Sequence, residues 1–160
     1  MRVIGIDPGT AVTGYGVVES RGGRLEAVAY GVIRTRSDLP AANRLAKIHD
    51  GLKDIIAEYK PQVASIEKLF VSKNPAAALA VGQARGVSLL AAVNSGLEVA
   101  EFSVLEVKQA VVGYGRADKR QVQEMVKVLL GLSELPRPND AADALAVAIC
   151  RLHMARIKED

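Results

Sequence analysis

Tryptophan is absent from the 160 residues, and cysteine occurs once, at Cys150. A lone cysteine excludes an internal disulfide and a structural zinc cluster. Its place in the apolar stretch 144–150 reads instead as a small buried hydrophobe. Aromatics are scarce, at 4% of the chain, so any that falls in a polar loop stands out. No apolar run looks long enough to cross a bilayer. No basic leader, apolar stretch and cleavage site open the chain in series. The expectation is a soluble, cytoplasmic protein with no membrane partner. Charge of one sign is lacking too: 21 Lys+Arg against 18 Asp+Glu leave +3, too little to name a partner class. Internal repeats and low-complexity segments are also missing. What remains, 49% hydrophobic and 24% charged over 160 residues, predicts one domain spanning residues 1–160. Its core can be sizeable, but there is no room for two large lobes.

The first third is rich in Val, Ile and Tyr and reads as three strands: Val3 to Asp7, Tyr15 to Glu19 and Leu25 to Thr35. Turn residues at 7–10 and 21–23 separate them, and the connections are too short for a crossover helix. An antiparallel meander follows. Ser37 or Asp38 can cap a helix with Pro40 in its first turn; Leu45, Ile48, Leu52, Ile55 and Ile56 give it an apolar side, and Pro61 ends it. Residues 63–66 read as a short buried strand and 67–73 as a loop. Asn74 caps, and Pro75 starts, a long Ala-rich helix that stops at Ser95-Gly96. After a strand at 97–102, Ser103 and Glu106 make a capping box for a short helix stopped by Gly113. Asp118 to Leu130 is a second helical stretch ended by Gly131. A final helix begins near Asn139 with Leu145, Ile149 and Leu152 along one side. The order βββαβα then βααα predicts an α/β fold, a mixed sheet with helices on its faces.

Four carboxylates sit where this order can gather them. Asp7 and Glu67 each follow a buried-type strand, and Asp140 and Asp143 stand three residues apart where the last helix begins, so they share a face. Each has a plain structural reading: Asp7 as a turn residue, Asp140 as a first-turn acid, Glu67 as a loop residue, Asp143 as a solvated one. Together they adjoin core sequence on three elements, which suggests a site. Convergent carboxylates repel unless cations lie between them, and hard divalent ions are the natural solution, with Mg²⁺ the first choice. No serine or cysteine nucleophile is required. His49 and His153 lie on helical stretches and are given no role.

Gly5-Ile6-Asp7-Pro8-Gly9, Thr13-Gly14-Tyr15-Gly16, Ile66-Glu67 with Phe70 and Lys73-Asn74, Gly82-Gln83-Ala84-Arg85-Gly86, Val107-Lys108-Gln109 and Asp140-Ala141-Ala142-Asp143-Ala144-Leu145 occur in that order. In this combination the chain resembles, nearly end to end, the RuvC-type Holliday junction resolvases of bacteria. The resemblance implies an RNase H-like fold and a homodimer. It implies a Mg²⁺-dependent endonuclease that nicks four-way DNA junctions in pairs during recombination and repair, leaving 5′-phosphate and 3′-hydroxyl ends. It puts Asp7, Glu67, Asp140 and Asp143 at the metal-binding catalytic positions, with two ions per site and Mn²⁺ as a substitute. It also implies DNA contacts at Lys108 and Lys119, a base-stacking role for Phe70, and junction-binding and helicase partners of the RuvA and RuvB type. Lys68 departs from the acidic or amide residue common in the family. The chain ends at Asp160, short of the basic tail of some relatives, so no DNA contact from such a tail is expected.

Neutralising the four acids with metal would raise the net charge from +3 to +7. Lys73, Arg85, Lys108 and Lys119, with Arg116, Arg120 and Lys127, then fall in segments that can flank the site and neutralise phosphates, or simply face solvent. The small residues of the Pro75–Ser95 helix allow either packing on the sheet or close approach of a second subunit about a two-fold axis. Three other readings stay open, one of them a junction-binding module without catalysis, which the presence of all four acids disfavours. An RNase H-like RNA-processing nuclease would use the same metals on another substrate. A lobe of an actin-like or sugar-kinase-like ATPase would share the opening Ile-Asp strand.

Overall fold

In a computed structural model of the protein, residues 1–69 and 73–157 are described. Five strands form one sheet: β1 (Arg2–Asp7), β2 (Val12–Arg21), β3 (Arg24–Arg34), β4 (Val63–Glu67) and β5 (Glu98–Phe102). Their order is β3-β2-β1-β4-β5. The first three pair antiparallel, and β4 and β5 continue beside β1 in parallel. Among the described residues there are five helices: α1 (Ala41–Tyr59), α2 (Pro75–Asn94), α3 (Val104–Val112), α4 (Lys119–Leu130) and α5 (Asn139–Ile157). This is the mixed sheet with helices on its faces expected from the element order, and it agrees with the RNase H-like fold that the resemblance implies.

Local chemistry accounts for the helix ends. Asn74 accepts from the Ala77 amide ahead of Pro75. Ser103 with Glu106 and Asp118 with Gln121 close reciprocal capping boxes. Gly113 and Gly131 turn left-handed after α3 and α4, where a side chain would be strained. At α1 the expectation fails. Pro40 is itself the cap residue and no side chain caps the helix; the Asp38 carboxylate pairs with Arg36 instead.

Alternation along the strands divides the core in two. Ile4, Ile6, Val17 and Ala64 point to one face and pack with Ile48, Leu52 and Ile56 of α1 and Ala84, Ala91 and Ala92 of α2. Val3, Val18, Val63 and Phe102 point to the other and meet α3, α4 and α5. α5 differs from expectation. Rather than showing one apolar side, it is buried continuously from Ala144 to Cys150, because the sheet covers one flank while α3 and α4 cover another.

α5 comes close against the sheet because β1 and β2 carry glycine beneath it at Gly5 and Gly14. A Cβ at Gly5 would overlap the Ala144 carbonyl oxygen and stand 2.9 Å from the Ala148 amide; at Gly14 it would overlap the Asp140 carbonyl oxygen and stand 3.0 Å from the Ala141 amide. Glycine on the strands and alanine on the helix thus let backbone meet backbone.

The expectation that no segment could cross a bilayer needs correction. α2 is long and apolar enough by length and composition, with a mean hydropathy of 1.5 over its most apolar window. Its apolarity is Ala-rich and interrupted by Gln83, Arg85 and Ser88. Ala84, Ser88, Ala91 and Ala92 are buried against the rest of the fold, while Leu79, Leu90 and Val93 are exposed.

Candidate active site

The strand pleat and the seat of α5 bring the four acids together. Asp7 ends β1 two residues beyond Gly5, hence on the α5 side, and is paired in register with Gly14. Glu67 ends β4 on the same side, two residues beyond Ser65. The Ser65 hydroxyl donates to the Val147 carbonyl of α5 at 2.8 Å, tying this strand to the helix. Asp140 and Asp143 occupy the first turns of α5. Since the Asp140 backbone lies directly over Gly14, the helix begins beside Asp7. The Asp7–Pro8–Gly9 turn is held by Thr13, buried and donating from its hydroxyl to the Gly9 carbonyl at 2.7 Å.

The acids act on one another. Burial first, then Asp143, Asp140 and Glu67, push the Asp7 carboxyl from 3.8 up to about 8, and Asp7 shares a side-chain hydrogen bond with Asp140. Burial and Asp143 raise Glu67, against the pull of Lys108 and Lys119. Burial also raises Asp143, although Lys119 Nζ lies 3.3 Å from its Oδ2. As these side chains stand, no three acidic, histidine or cysteine side chains among the described residues converge to hold an ion. Mutual repulsion and the Lys119 bridge give the physical reason. The donor chemistry nonetheless fits a hard divalent cation. The set is all carboxylate oxygen, and burial with mutual repulsion makes Asp7, Glu67 and Asp143 hold their protons more tightly than free carboxyls do.

Glu67, Asp143, Lys108 and Lys119 line one cavity of about 220 Å³ above Val104, Val107 and Val122. The structure thus groups these two lysines with the acids. Arg85 is placed differently. Its guanidinium meets Glu101 at 2.6 Å and donates to the Glu67 backbone carbonyl at 3.3 Å, with 18% of the side chain exposed. Sequence reasoning offered Arg85 as a phosphate contact or a solvated residue and missed this brace behind the end of β4. Lys73 is exposed just ahead of the α2 cap. Phe70 lies outside the described residues. Lys68 is exposed and adds a minor pull on Glu106, whose carboxyl is held low first by hydrogen bonds with Ser103. Cys150 is buried as expected, and burial with nearby Glu106 pushes its thiol to about 12. The packing role of Gly5 and Gly14 was also missed. Its signal was available: glycines inside apolar strands, opposite a helix reading Asp-Ala-Ala-Asp-Ala.

Comparison with known proteins extends these observations. Residues 3–151 match the family model of the crossover junction endodeoxyribonuclease RuvC. A protein of that description from Caldanaerobacter subterraneus subsp. tengcongensis is 54% identical over 159 residues, covering 99% of this chain and 96% of its own. One from Desulforamulus reducens is 57% identical over 150 residues, covering 94% and 92%. Among solved structures, Thermus thermophilus RuvC in complex with a Holliday junction substrate superposes with a TM-score of 0.94 at 36% identity, covering 99% of this chain and 96% of that one. This chain belongs to the RuvC family of crossover junction endodeoxyribonucleases.

Proposed function

We propose that the protein is a cytoplasmic, Mg²⁺-dependent endonuclease that resolves four-way DNA junctions by paired phosphodiester hydrolysis in recombination and repair. The observation that carries this is the meeting of Asp7, Glu67, Asp140 and Asp143, from two strands and one helix, at the open end of the sheet beside Lys108 and Lys119. The four carboxylates would hold two divalent ions, Mg²⁺ or Mn²⁺. When bound, these ions activate the water for in-line attack and stabilise the leaving 3′-oxygen, which leaves ligatable 5′-phosphate and 3′-hydroxyl ends. The chain's own residues do the rest. Lys108 and Lys119 draw the strand toward the acids and offset their charge. Lys119, 3.3 Å from Asp143 Oδ2, is placed to pair with a phosphate in its stead, and Arg85 keeps the Glu67 backbone in place. Lys73 contacts DNA farther out, and Phe70 stacks on an unpaired base. Junction-binding and helicase proteins of the RuvA and RuvB type deliver the substrate.

Two cuts require two sites, and a homodimer supplies them. The α2 surface suits the contact. Leu79, Leu90 and Val93 are 67%, 53% and 59% exposed and lie along one stripe with Gly86, where nothing lies within 4 Å of a would-be Cβ. That leaves room for a second backbone.

A cruciform extruded in a supercoiled plasmid tests both the reaction and the pairing, because one nick releases the supercoiling that holds the cruciform open. Wild type should yield linear product in Mg²⁺ and leave a linear duplex and an RNA–DNA hybrid intact. Leu90→Asp should give nicked circles. Cleavage of the hybrid in preference to the junction would overturn the substrate, and linear product from a monomeric protein would overturn the paired sites.

Removing Lys119 should do more than weaken DNA binding. Without its ammonium, Asp143 and Glu67 hold their protons to higher pH, so Lys119→Ala should shift the acid limb of the pH–rate profile upward as well as lower cleavage. A loss of rate equal at every pH would restrict Lys119 to phosphate contact.

A further inference from the structure

A second basic cavity, of about 460 Å³, opens where α4 and α5 begin. Arg120, Gln123, Arg137 and Asn139 line it around the apolar turn at 135–138. It adjoins the acids through both helices: Arg120 follows Lys119, the partner of Asp143, and Asn139 precedes Asp140. No carboxylate lines it. The Gln123 side-chain amide donates to Asn139 Oδ1 at 3.1 Å, which joins the two helices at the rim, and among the described residues the Asn139 NH₂ has no acceptor. Arg120 is held by Glu124 at 2.8 Å on its own helix. Arg137 is exposed, and among the described residues no hydrogen bond or ion pair engages it. Prolines on both sides restrict its backbone, so little chain entropy is lost when it binds a ligand.

An arginine with no internal partner, flanked by prolines, beside a second arginine and amide donors, is suited to an oxyanion bound by two N–H groups. The apolar turn offers a surface for a sugar, and no aromatic ring is there to stack a base. From Asn139 to Asp143 the helix rises roughly 6 Å, comparable with the step between neighbouring phosphates on one strand. We propose that this pocket is a phosphate-binding subsite in which Arg137, with Arg120 and the Asn139 amide, grips the backbone phosphate next to the one at the carboxylates. The proposal rests on the junction-cleaving reading above. It adds a contact that is independent of base sequence and holds the cleaved strand from its other side.

The test measures binding of a synthetic four-way junction without divalent metal across a salt series, for wild type, Arg137→Gln and Arg137→Lys, alongside melting curves and wild-type cleavage in Mg²⁺. Arg137→Gln should lose about 5- to 20-fold in affinity near 0.15 M salt and flatten the log–log salt slope by about 1. The loss should be the same on junctions of different sequence, with an unchanged melting temperature. Arg137→Lys should recover much of the affinity, because it restores the charge but not the fork. Affinity within about twofold of wild type with an unchanged slope would overturn the subsite, as would a loss confined to one junction sequence. Failure of the wild type to cut any junction would instead overturn the parent reading.

Discussion

Asp7→Asn should abolish junction cleavage and, in the absence of metal, make the protein more stable than wild type at neutral and alkaline pH. The loss of activity follows from position: Asp7 ends the central strand between Glu67 and the start of α5. Disturbing a residue that merely supports a metal ligand costs about 10- to 100-fold, so losing a ligand should cost more than about 100-fold. Junction binding should persist or improve, since a charge that repels phosphate is gone.

The gain in stability follows from the same burial that makes the site useful. The folded Asp7 carboxyl keeps its proton up to about pH 8, against 3.8 ordinarily. Between those values the native state binds a proton that the unfolded chain has released, so stability falls as pH rises through this window. Above it the full cost of a buried, repelled carboxylate is present. Asparagine has no such proton to lose. In chelator, the variant's advantage should therefore be near zero around pH 4 and grow toward pH 8. Solvent at the open end of the site screens part of the cost, which leaves a gain on the order of 1–3 kcal/mol, or about 3–9 °C in melting temperature. Mg²⁺ should narrow the gap by stabilising wild type more than the variant. Two observations would contradict the assignment: a variant that cuts junctions within threefold of wild type, or a melting difference that ignores pH.

Gly14→Ala should be the most damaging single-methyl change at the site. The added carbon would occupy the position of the Asp140 carbonyl oxygen, and that obstacle is helix backbone rather than a flexible side chain. Either α5 lifts from the sheet or β2 bends. Because α5 is buried along most of its length, relief at one end is transmitted through the core. A destabilisation of about 3 kcal/mol or more is expected, beyond the usual range for overpacking. At temperatures where the variant remains folded, cleavage should still be lost, since moving the first turn of α5 separates Asp140 and Asp143 from Asp7. Gly5→Ala, meeting the Ala144 carbonyl one helical turn further on, should lose comparable stability. Wild-type melting and wild-type cleavage in Gly14→Ala would show that the helix does not need this close approach.

Much of the site was legible in the linear chain because its signals are local. A carboxylate placed directly after an apolar strand, or one turn from another at a helix start, carries its context in its neighbours. The caps of α2, α3 and α4 were legible for the same reason, being hydrogen bonds between residues three apart. The cap of α1 was misjudged because Asp38, near in sequence to the helix start, had an equally near competitor in Arg36. Arg85 shows the opposite limit. A basic residue within a family motif looks like a phosphate contact until the fold brings Glu101, 16 residues away, against its guanidinium.

Strand alternation, helix periodicity and turn chemistry depend on bonded neighbours, so the sequence by itself determined the element order, the two-sided sheet and the four candidate acids. Distances between segments are set by packing, and these only the tertiary structure decided. The flush seating of α5 on Gly5 and Gly14, the rise of the Asp7 carboxyl to about 8 and the enclosure of Lys108 and Lys119 with Glu67 and Asp143 all depend on it. So does the lack of a partner for Arg137 among the described residues. A charge's environment is a property of space, summed over groups that the chain order keeps far apart.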